Sequence, residues 1–205
     1  MSQRRSKEEA KAEIVAIATR LFGEKGYAKT SFQMIATEMG ISQPAIVYHF
    51  KTKQVLFQAV VHAVILDHDK RMQASFAPSD NALDRLMKHF QVHYASVVQE
   101  PFFVQIITAL YYFGTFEPVF QDFYTLVKEK AREKIELYFY QGRREGLIKQ
   151  DNPSFAAAML HDFLLGSLVN IAASNAGLDA YYQAERKWRA LLQYTAQHNE
   201  AAYLP

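Results

Sequence analysis

The chain has 205 residues, of which 50 % are hydrophobic and 21 % charged, a composition typical of a soluble globular protein with a sizeable core. It contains no cysteine, which excludes a disulfide framework, a thiolate zinc site and a thiol nucleophile. The two longest uncharged runs, 101–116 and 163–178, have 16 residues each, fewer than the roughly 20 apolar residues of a membrane span. No signal peptide is visible. We therefore expect a cytoplasmic protein without a membrane segment.

Charge and aromatic residues are unevenly distributed along the chain. The net charge is +2, but residues 1–60 carry nine Lys and Arg against five Asp and Glu. After residue 60 the balance is slightly acidic, and 22 of the 28 aromatic residues lie there. We expect an anionic partner, where there is one, to meet the basic first part.

Helix signals begin close to the N-terminus, and strand signals are nearly absent. Ser6 and Glu9 have the spacing of a capping box and open a predicted helix of about five turns that ends near Gly26. Thr30 and Gln33 have the same spacing and predict the start of a second helix of about two turns.

Two more helices are predicted directly after this short one. The second helix ends at Gly40, and Ser42 can cap a third short helix that has Pro44 in its first turn. Thr52 caps a longer fourth helix. Further along, apolar spacings of three and four predict helices near 81–97, 101–114, 118–145, 153–173 and 181–195. The sequence thus predicts an all-α fold of about nine helices.

The segment from Thr30 to Lys53 has the organisation of a helix-turn-helix motif. Two helices of about two turns are joined by a tight turn at Gly40, and Ala36 lies four positions before that glycine. A small residue at this spacing lets the two helices cross closely, and Gly40 can adopt the left-handed conformation that ends the first of them. Polar residues at the start of the third helix would point toward a DNA major groove.

In these residues the sequence resembles the TetR family of bacterial transcriptional regulators. The resemblance covers about residues 10–60 closely, and about 10–70 with the fourth helix; it includes LFGEKGYAKTSFQMIA and SQPAIVYHFKTKQVLF. It implies a three-helix DNA-binding domain at residues 1–56 and a helical ligand-binding and dimerisation domain at 57–205. It also implies a homodimer formed by the last two helices, for which the apolar helices at 155–173 and 181–195 are independent support.

The resemblance also implies which residues contact DNA. Gln43, Pro44 and Ala45 would read bases, since Gln can pair with adenine and aliphatic carbons can meet a thymine methyl. The full predicted set is Thr30, Ser31, Ser42, Gln43, Pro44, Ala45, Tyr48, His49, Lys51 and Lys53, the hydroxyls and cations among them holding phosphates. Val47 departs from the family pattern, which very often has an aromatic residue at that position.

A dense group of aromatic residues predicts a pocket for a large, mostly apolar ligand, although many of them can equally fill the core. The predicted pocket residues are Phe90, Tyr94, Phe103, Ile107, Tyr111, Tyr112, Phe116, Phe120, Phe123, Tyr124, Tyr138 and Phe163. His89 and His93 lie four residues apart, but no carboxylate stands at a supporting offset, so we expect no metal site and no cofactor.

We therefore expect a ligand-responsive transcriptional regulator, not an enzyme. It would act as a repressor that binds a palindromic operator as a homodimer and is released by an apolar or aromatic small molecule. It would be a bacterial cytoplasmic protein, associated with the nucleoid when bound to DNA. Two alternatives stay open: a helical carrier of apolar ligands that has lost DNA binding, and an enzyme that uses His89, His93 or His161 in the cavity.

Overall fold

A computed structural model describes residues 6–100, 102–174 and 177–198 of the chain. Within these residues there are nine α-helices and no β-strand, which confirms the predicted all-α fold. The helices are α1 (Lys7–Lys25), α2 (Phe32–Met39), α3 (Gln43–His49), α4 (Lys53–Ser75), α5 (Ala82–Gln99), α6 (Phe103–Gly114), α7 (Pro118–Arg144), α8 (Pro153–Ser174) and α9 (Gly177–Gln197). The helix start predicted at Pro101 lies outside the described residues.

The starts of α1 and α4 are capped by Ser6 and Thr52, as predicted. Ser6 Oγ accepts from the backbone N–H of Glu9 at 3.1 Å, and the Glu9 carboxylate accepts from the backbone N–H of Ser6 at 2.7 Å. Thr52 Oγ1 accepts from the first turn of α4 at 3.2 Å. Asn81 and Asp84 form a further capping box at the start of α5. These side chains satisfy N–H groups that have no partner within their own helix.

The predicted capping box of Thr30 and Gln33 is wrong. The residue that caps α2 is Ser31, whose Oγ accepts from the backbone N–H of Met34 at 3.2 Å. Thr30 is 1 % exposed, and its hydroxyl lies 3.0 Å from each of the carbonyl oxygens of Leu21 and Gly26. The physical reason is tertiary: carbonyls at the end of α1 have no partner within that helix, and Thr30 supplies a donor.

The contacts between helices divide the chain into two compact units. Unit 1 comprises the described parts of 1–68 and 101–124, and unit 2 those of 69–100 and 125–205. In unit 1, α1 packs on α2 and α6, and α2 packs on α3. The buried side chains of this unit include Ile14, Ala18, Leu21, Phe22, Ile35, Ile46, Leu56, Phe57, Ile106, Leu110 and Phe120.

Unit 2 is built around α5, α8 and α9, each of which packs on the other two. Its core includes Leu86, Phe90, Ile135, Phe139, Leu160, Leu164 and Trp188. The side chain of Gln150 ties the loop after α7 to the end of α9, because its Nε2 donates to the carbonyls of Thr195 at 3.3 Å and His198 at 2.6 Å.

Helix α8 is strongly apolar, but only part of it is buried by the described residues. The stretch Pro153–Ala173 has a mean hydropathy of 1.5 and is long enough, by length and composition only, to cross a membrane. The core helix of a soluble protein has the same properties, and here α8 packs on α5 and α9. Only 33 % of this stretch is buried inside the chain, so much of its apolar surface has no cover from the described residues.

Candidate nucleic-acid interface

Helices α2 and α3 are joined by a turn that depends on two small residues. Gly40 has φ +64° and ψ +32°, the left-handed conformation that glycine adopts at little cost. The backbone N–H of Ile41 donates to the carbonyl of Ala36 at 3.0 Å, which closes the turn. Ala36 is fully buried, as are Ile35 and Ile46 on the two helices. The predicted role of Ala36 and Gly40 in a close helix crossing agrees with this geometry.

One side of α3 is exposed and carries most of the predicted base-reading residues. Gln43 and Pro44 are exposed at its start, while Val47 and Tyr48 are 36 % and 62 % exposed near its end. Ile46 faces the interior and anchors the helix. The arrangement presents an amide, aliphatic carbons and a phenol on one short helix, which is the chemistry that base edges and phosphates require.

Ser42 has the N-cap conformation of α3, but its hydroxyl makes no capping hydrogen bond. The reason lies in the next residues: Pro44 has no N–H, and the N–H of Ala45 donates to the Ser42 carbonyl at 3.0 Å. The exposed Ser42 hydroxyl is therefore not committed to the cap, and it lies at the positive end of a helix, where anions are stabilised.

Two lysines flank the ring of Tyr48. Lys51 Nζ lies 5.9 Å and Lys7 Nζ 5.5 Å from the ring centroid, and both side chains belong to exposed residues. Lys51 was predicted as a DNA contact, whereas sequence reasoning missed Lys7, the first residue of α1. The signal that could have found it is the group of basic residues Arg4, Arg5 and Lys7 on both sides of Ser6, the first residue of the capping box.

The remaining predicted DNA contacts are less exposed. Ala45 and His49 are half-buried, and His49 Nδ1 is buried without a hydrogen-bond partner within the described residues. Lys53 is also half-buried, and its ammonium group donates to backbone carbonyls. Thr30 is buried as well. The exposed members of the predicted set are Ser31, Ser42, Gln43, Pro44, Tyr48 and Lys51.

The predicted ligand-binding residues fall into two groups. In unit 1 are Phe103, Ile107, Tyr111, Tyr112, Phe116, Phe120, Phe123 and Tyr124. Tyr112 and Phe116 are exposed, with ring centroids 4.8 Å apart. Phe120 is buried instead, and its ring lies 5.6 Å from that of Phe57 and 5.7 Å from that of Tyr27. Within unit 1, these side chains therefore do not share one environment.

The second group, in unit 2, is more compact. The ring of Phe90 stacks on that of Trp188 at 5.2 Å and lies 4.2 Å from that of Tyr94, whose ring lies 5.4 Å from that of Tyr181. We call Phe90, Tyr94, Tyr181 and Trp188 the aromatic cluster of unit 2. Burial raises the pKa of Tyr94 to about 12. The Nε1–H of Trp188 is buried and has no hydrogen-bond partner in the described part of the chain.

The other two predicted ligand residues of unit 2 lie beside this cluster or apart from it. The ring of Phe163 is 6.1 Å from that of Trp188, whereas the ring of Tyr138 lies 6.0 Å from that of His89. The rings of His89 and His93 are 4.5 Å apart. Residues 6–100, 102–174 and 177–198 contain no group of three or more His, Asp or Glu side chains that could hold a metal ion.

Comparison with known proteins gives a consistent result. Residues 14–60 match the family model described as bacterial regulatory proteins, tetR family. The chain is 38 % identical over 86 residues to ArpR of Pseudomonas putida, described as a probable HTH-type transcriptional regulator. This match covers 40 % of the chain and 40 % of that relative, and it therefore spans less than half of either protein.

Solved structures extend the likeness to nearly the whole fold. A protein of Saccharomonospora viridis, described as a transcriptional regulator and crystallised with choline, has a TM-score of 0.80 at 18 % identity, covering 91 % of this chain and 96 % of that one. A TetR transcription regulator of Haloarcula marismortui has a TM-score of 0.79 at 18 % identity, covering 91 % and 98 %. Residues 14–60, which contain the helix-turn-helix geometry of α2 and α3, thus match the tetR family of bacterial regulatory proteins, and the solved structures share the fold of nearly the whole chain.

Proposed function

We propose that the protein is a transcriptional regulator that represses its target genes by binding a palindromic operator as a homodimer, and that a mostly apolar small molecule releases it. The observation that carries the proposal is the exposed side of α3, where an uncommitted serine hydroxyl, a glutamine and a tyrosine stand beside two lysines. This combination suits DNA, because it offers both base-reading and phosphate-binding groups.

The residues proposed to contact bases lie on the exposed side of α3. Gln43 is exposed and can donate to and accept from one adenine edge in the major groove. The carbons of Pro44 and Val47 are exposed next to it and can meet thymine methyl groups. Val47, which lacks the aromatic ring usual in the family, would then add an aliphatic contact, leaving Tyr48 as the aromatic residue of this helix.

The residues proposed to bind phosphates are two serines at helix N-termini and the two lysines beside Tyr48. Ser31 and Ser42 each lie at a helix N-terminus and can donate a hydroxyl hydrogen to a phosphate oxygen. Lys7 and Lys51 add two positive charges on either side of Tyr48. Such contacts fix the register of the protein on the duplex and make its affinity salt-dependent.

The homodimer is supported by the surface of α8 and α9. A groove of about 510 Å³ runs between these helices and includes the small residues Gly166, Ala180 and Ala184. Small residues permit close helix approach, and two thirds of the residues in the apolar stretch of α8 are not fully buried by the described part of the chain. A second copy packed on this face would cover that surface, and its two-fold symmetry would require a palindromic operator.

An effector site is supported by the aromatic cluster of unit 2. The buried Nε1–H of Trp188 needs an acceptor that the described residues do not provide. A largely apolar ligand with a hydrogen-bond acceptor would satisfy this donor while stacking on the neighbouring rings. The neighbour from Saccharomonospora viridis, crystallised with choline, is a case of this fold holding a small molecule.

Release from DNA follows when the effector prefers one dimer conformation. An effector that binds best to a conformation unable to meet both half-sites lowers the affinity for DNA by its preference for that conformation. A coupling of about 1–3 kcal/mol, roughly 5–150-fold in affinity, is typical of allosteric proteins, and the larger values in this range are needed to release most of the bound protein.

The test is selection of bound sequences from a random duplex pool by the purified protein. We expect the wild type to enrich a palindrome. On the selected duplex, Gln43→Ala should lose about 1–3 kcal/mol of binding free energy and relax the preference at one position of each half-site. Lys51→Ala should instead weaken specific and random duplexes alike and reduce the salt slope by about one.

Three outcomes would contradict the proposal. A helical carrier of apolar ligands would show little salt-dependent affinity for any duplex. Equal losses on specific and random duplexes for both variants would show that Gln43 does not read a base. An enzyme that uses His89, His93 or His161 would be recognised by turnover of candidate apolar substrates that disappears when the histidine is replaced.

A further inference from the structure

Lys53, the first residue of α4, directs its ammonium group into the protein. Its Nζ lies 3.0 Å from the carbonyl oxygen of Tyr27, 3.1 Å from that of Thr30 and 3.3 Å from that of Ala28. A lysine ammonium has three N–H donors and no acceptor. Three carbonyl partners therefore account for all the donors that this group has.

The same ammonium lies against an aromatic face. Nζ is 4.4 Å from the centroid of the Tyr27 ring, within the range of a cation–π interaction. The Tyr27 ring in turn lies 5.1 Å from that of Phe57 and 5.6 Å from that of Phe22, both of which are buried. Partial burial lowers the pKa of Lys53. The charge is thus held by protein groups and has lost part of its solvent.

The position of Lys53 on its helix makes these partners necessary. A cation at a helix N-terminus meets the positive end of the helix dipole, which is unfavourable unless other groups compensate for it. The carbonyls of the turn at residues 27–30 provide that compensation. The hydroxyl of Thr30 holds this turn from its other side, on the carbonyls of Leu21 and Gly26.

We infer that Lys53 is a positioning residue that holds the turn at residues 27–30, and with it the start of α2 at Ser31, in place for DNA binding. This role replaces the phosphate contact expected from the sequence, since a phosphate contact would require the ammonium to release a carbonyl. The part of the inference that concerns DNA rests on the proposed function. The part that concerns the turn rests on the hydrogen bonds alone.

The test compares Lys53→Ala and Lys53→Arg with Lys51→Ala as the matched control. For each protein we would measure duplex affinity over a range of salt concentrations, and hydrogen exchange of the backbone amides of Thr30 and Met34, which donate to the Tyr27 carbonyl and to Ser31 Oγ. Lys53→Ala should lose about tenfold or more in affinity with an unchanged salt slope, as expected for lost hydrogen bonds to a charged group, and its two amides should exchange faster. Lys51→Ala should lower the slope and leave the amides unchanged.

Lys53→Arg separates the two roles because arginine is a good phosphate ligand. Its planar guanidinium cannot place three donors around one point, so we expect this variant to resemble Lys53→Ala. A double-mutant cycle with Ser31→Ala adds a readout specific to positioning. Once Lys53 is replaced, loss of the Ser31 hydroxyl should cost little further affinity, because Ser31 is no longer held at the phosphate.

The inference would be overturned by near wild-type DNA binding of Lys53→Arg, by a salt slope reduced by about one in Lys53→Ala with unchanged amide exchange, or by additive losses in the cycle. When the wild type itself binds no duplex, the proposed function fails, and amide exchange in the Lys53 variants still decides whether the turn depends on this ammonium. Unfolding curves of both variants show whether either loses the fold as a whole.

Discussion

At the scale of single residues, burial decides what a polar side chain can do. Thr30 and Ser31 are neighbours of the same chemical kind, yet one is buried on two carbonyls of α1 and the other caps α2. Lys51 and Lys53 differ in the same way, since one is exposed beside Tyr48 and the other faces carbonyls. The resemblance to the TetR family implied that all four contact DNA, because it assigns roles by position in the motif and does not report the partner of each side chain.

His161 is a buried group whose protonation should affect stability. It lies on α8, its Nδ1 is 2.9 Å from Asp162 Oδ1, and Arg132 also binds that carboxylate, at 2.8 Å. Burial lowers the pKa of His161 from its ordinary value, against the opposing effect of Asp162; Arg132 and Lys128 lower it further. The unfolded chain therefore binds a proton at a higher pH than the folded chain does.

We predict that the free energy of unfolding falls as the pH is lowered through about 6.5, because protonation of His161 is easier in the unfolded chain. Urea unfolding at a series of pH values between about 7 and 5 measures this slope. His161→Gln should reduce the slope, whereas His62→Gln, at an exposed position of α4, should not. Equal slopes in the wild type and His161→Gln would show that this histidine does not contribute.

At the scale of helices, the sequence predicted what is local. The starts of α1, α4, α5 and α8 follow from capping residues a few positions away, and their partners could be read from spacing alone. The start of α2 could not, because both Thr30 and Ser31 are good capping residues and the carbonyls at the end of α1 decide between them. The predicted ligand-binding residues lie in two separate units and not in one pocket. Periodicity could not predict this, because it shows which face of a helix is apolar but not which other helix packs on that face.

Gly114 shows how a helix end can also be a packing requirement. The sequence indicated it only as the end of α6, but a Cβ there would lie 2.4 Å from both Cβ and Cγ of Tyr124 on α7. These atoms are close to the backbone of α7, so they cannot move aside as the tip of a long side chain can. Gly114 therefore sets how closely α6 and α7 approach within unit 1.

We predict that Gly114→Ala destabilises the protein by about 1–3 kcal/mol, the usual cost of adding a methyl group to a packed site. Chemical denaturation measures the effect. Glu129→Ala is the control, because it introduces the same residue at an exposed position of α7 and not in a packed site. A Gly114→Ala variant as stable as this control would mean that α6 and α7 separate without cost.

At the scale of the whole molecule, the surface of α8 and α9 is what the described residues leave partly uncovered. The sequence predicted that the last two helices form a homodimer, and the described residues bury a third of the apolar stretch of α8. The groove with Gly166 lies on this surface. Hydrophobic periodicity predicted that this surface is apolar, but it does not report what packs on it, because no described segment of the same chain does so.

We predict that Gly166→Arg dissociates the proposed homodimer and leaves each chain folded. Apart from the local backbone of α8, no atom of the described residues lies within 4 Å of a Cβ at this position, so the monomer has room for the side chain. A second copy packed on the groove would not leave that room. Sedimentation equilibrium gives the mass, and circular dichroism checks the helical content. Glu129→Arg, at an exposed position of α7, is the control. An unchanged dimer in Gly166→Arg would exclude this groove from the interface.

Trp188 is the single tryptophan among the 205 residues, and it is fully buried against Phe90 in the aromatic cluster of unit 2. Its fluorescence therefore comes from one known place, with no second indole to obscure it. A ligand that enters the cluster, or an opening of unit 2 to water, should change the emission of the unlabelled wild-type protein. The chain thus carries its own optical reporter, through which effector candidates can be screened before any operator is known.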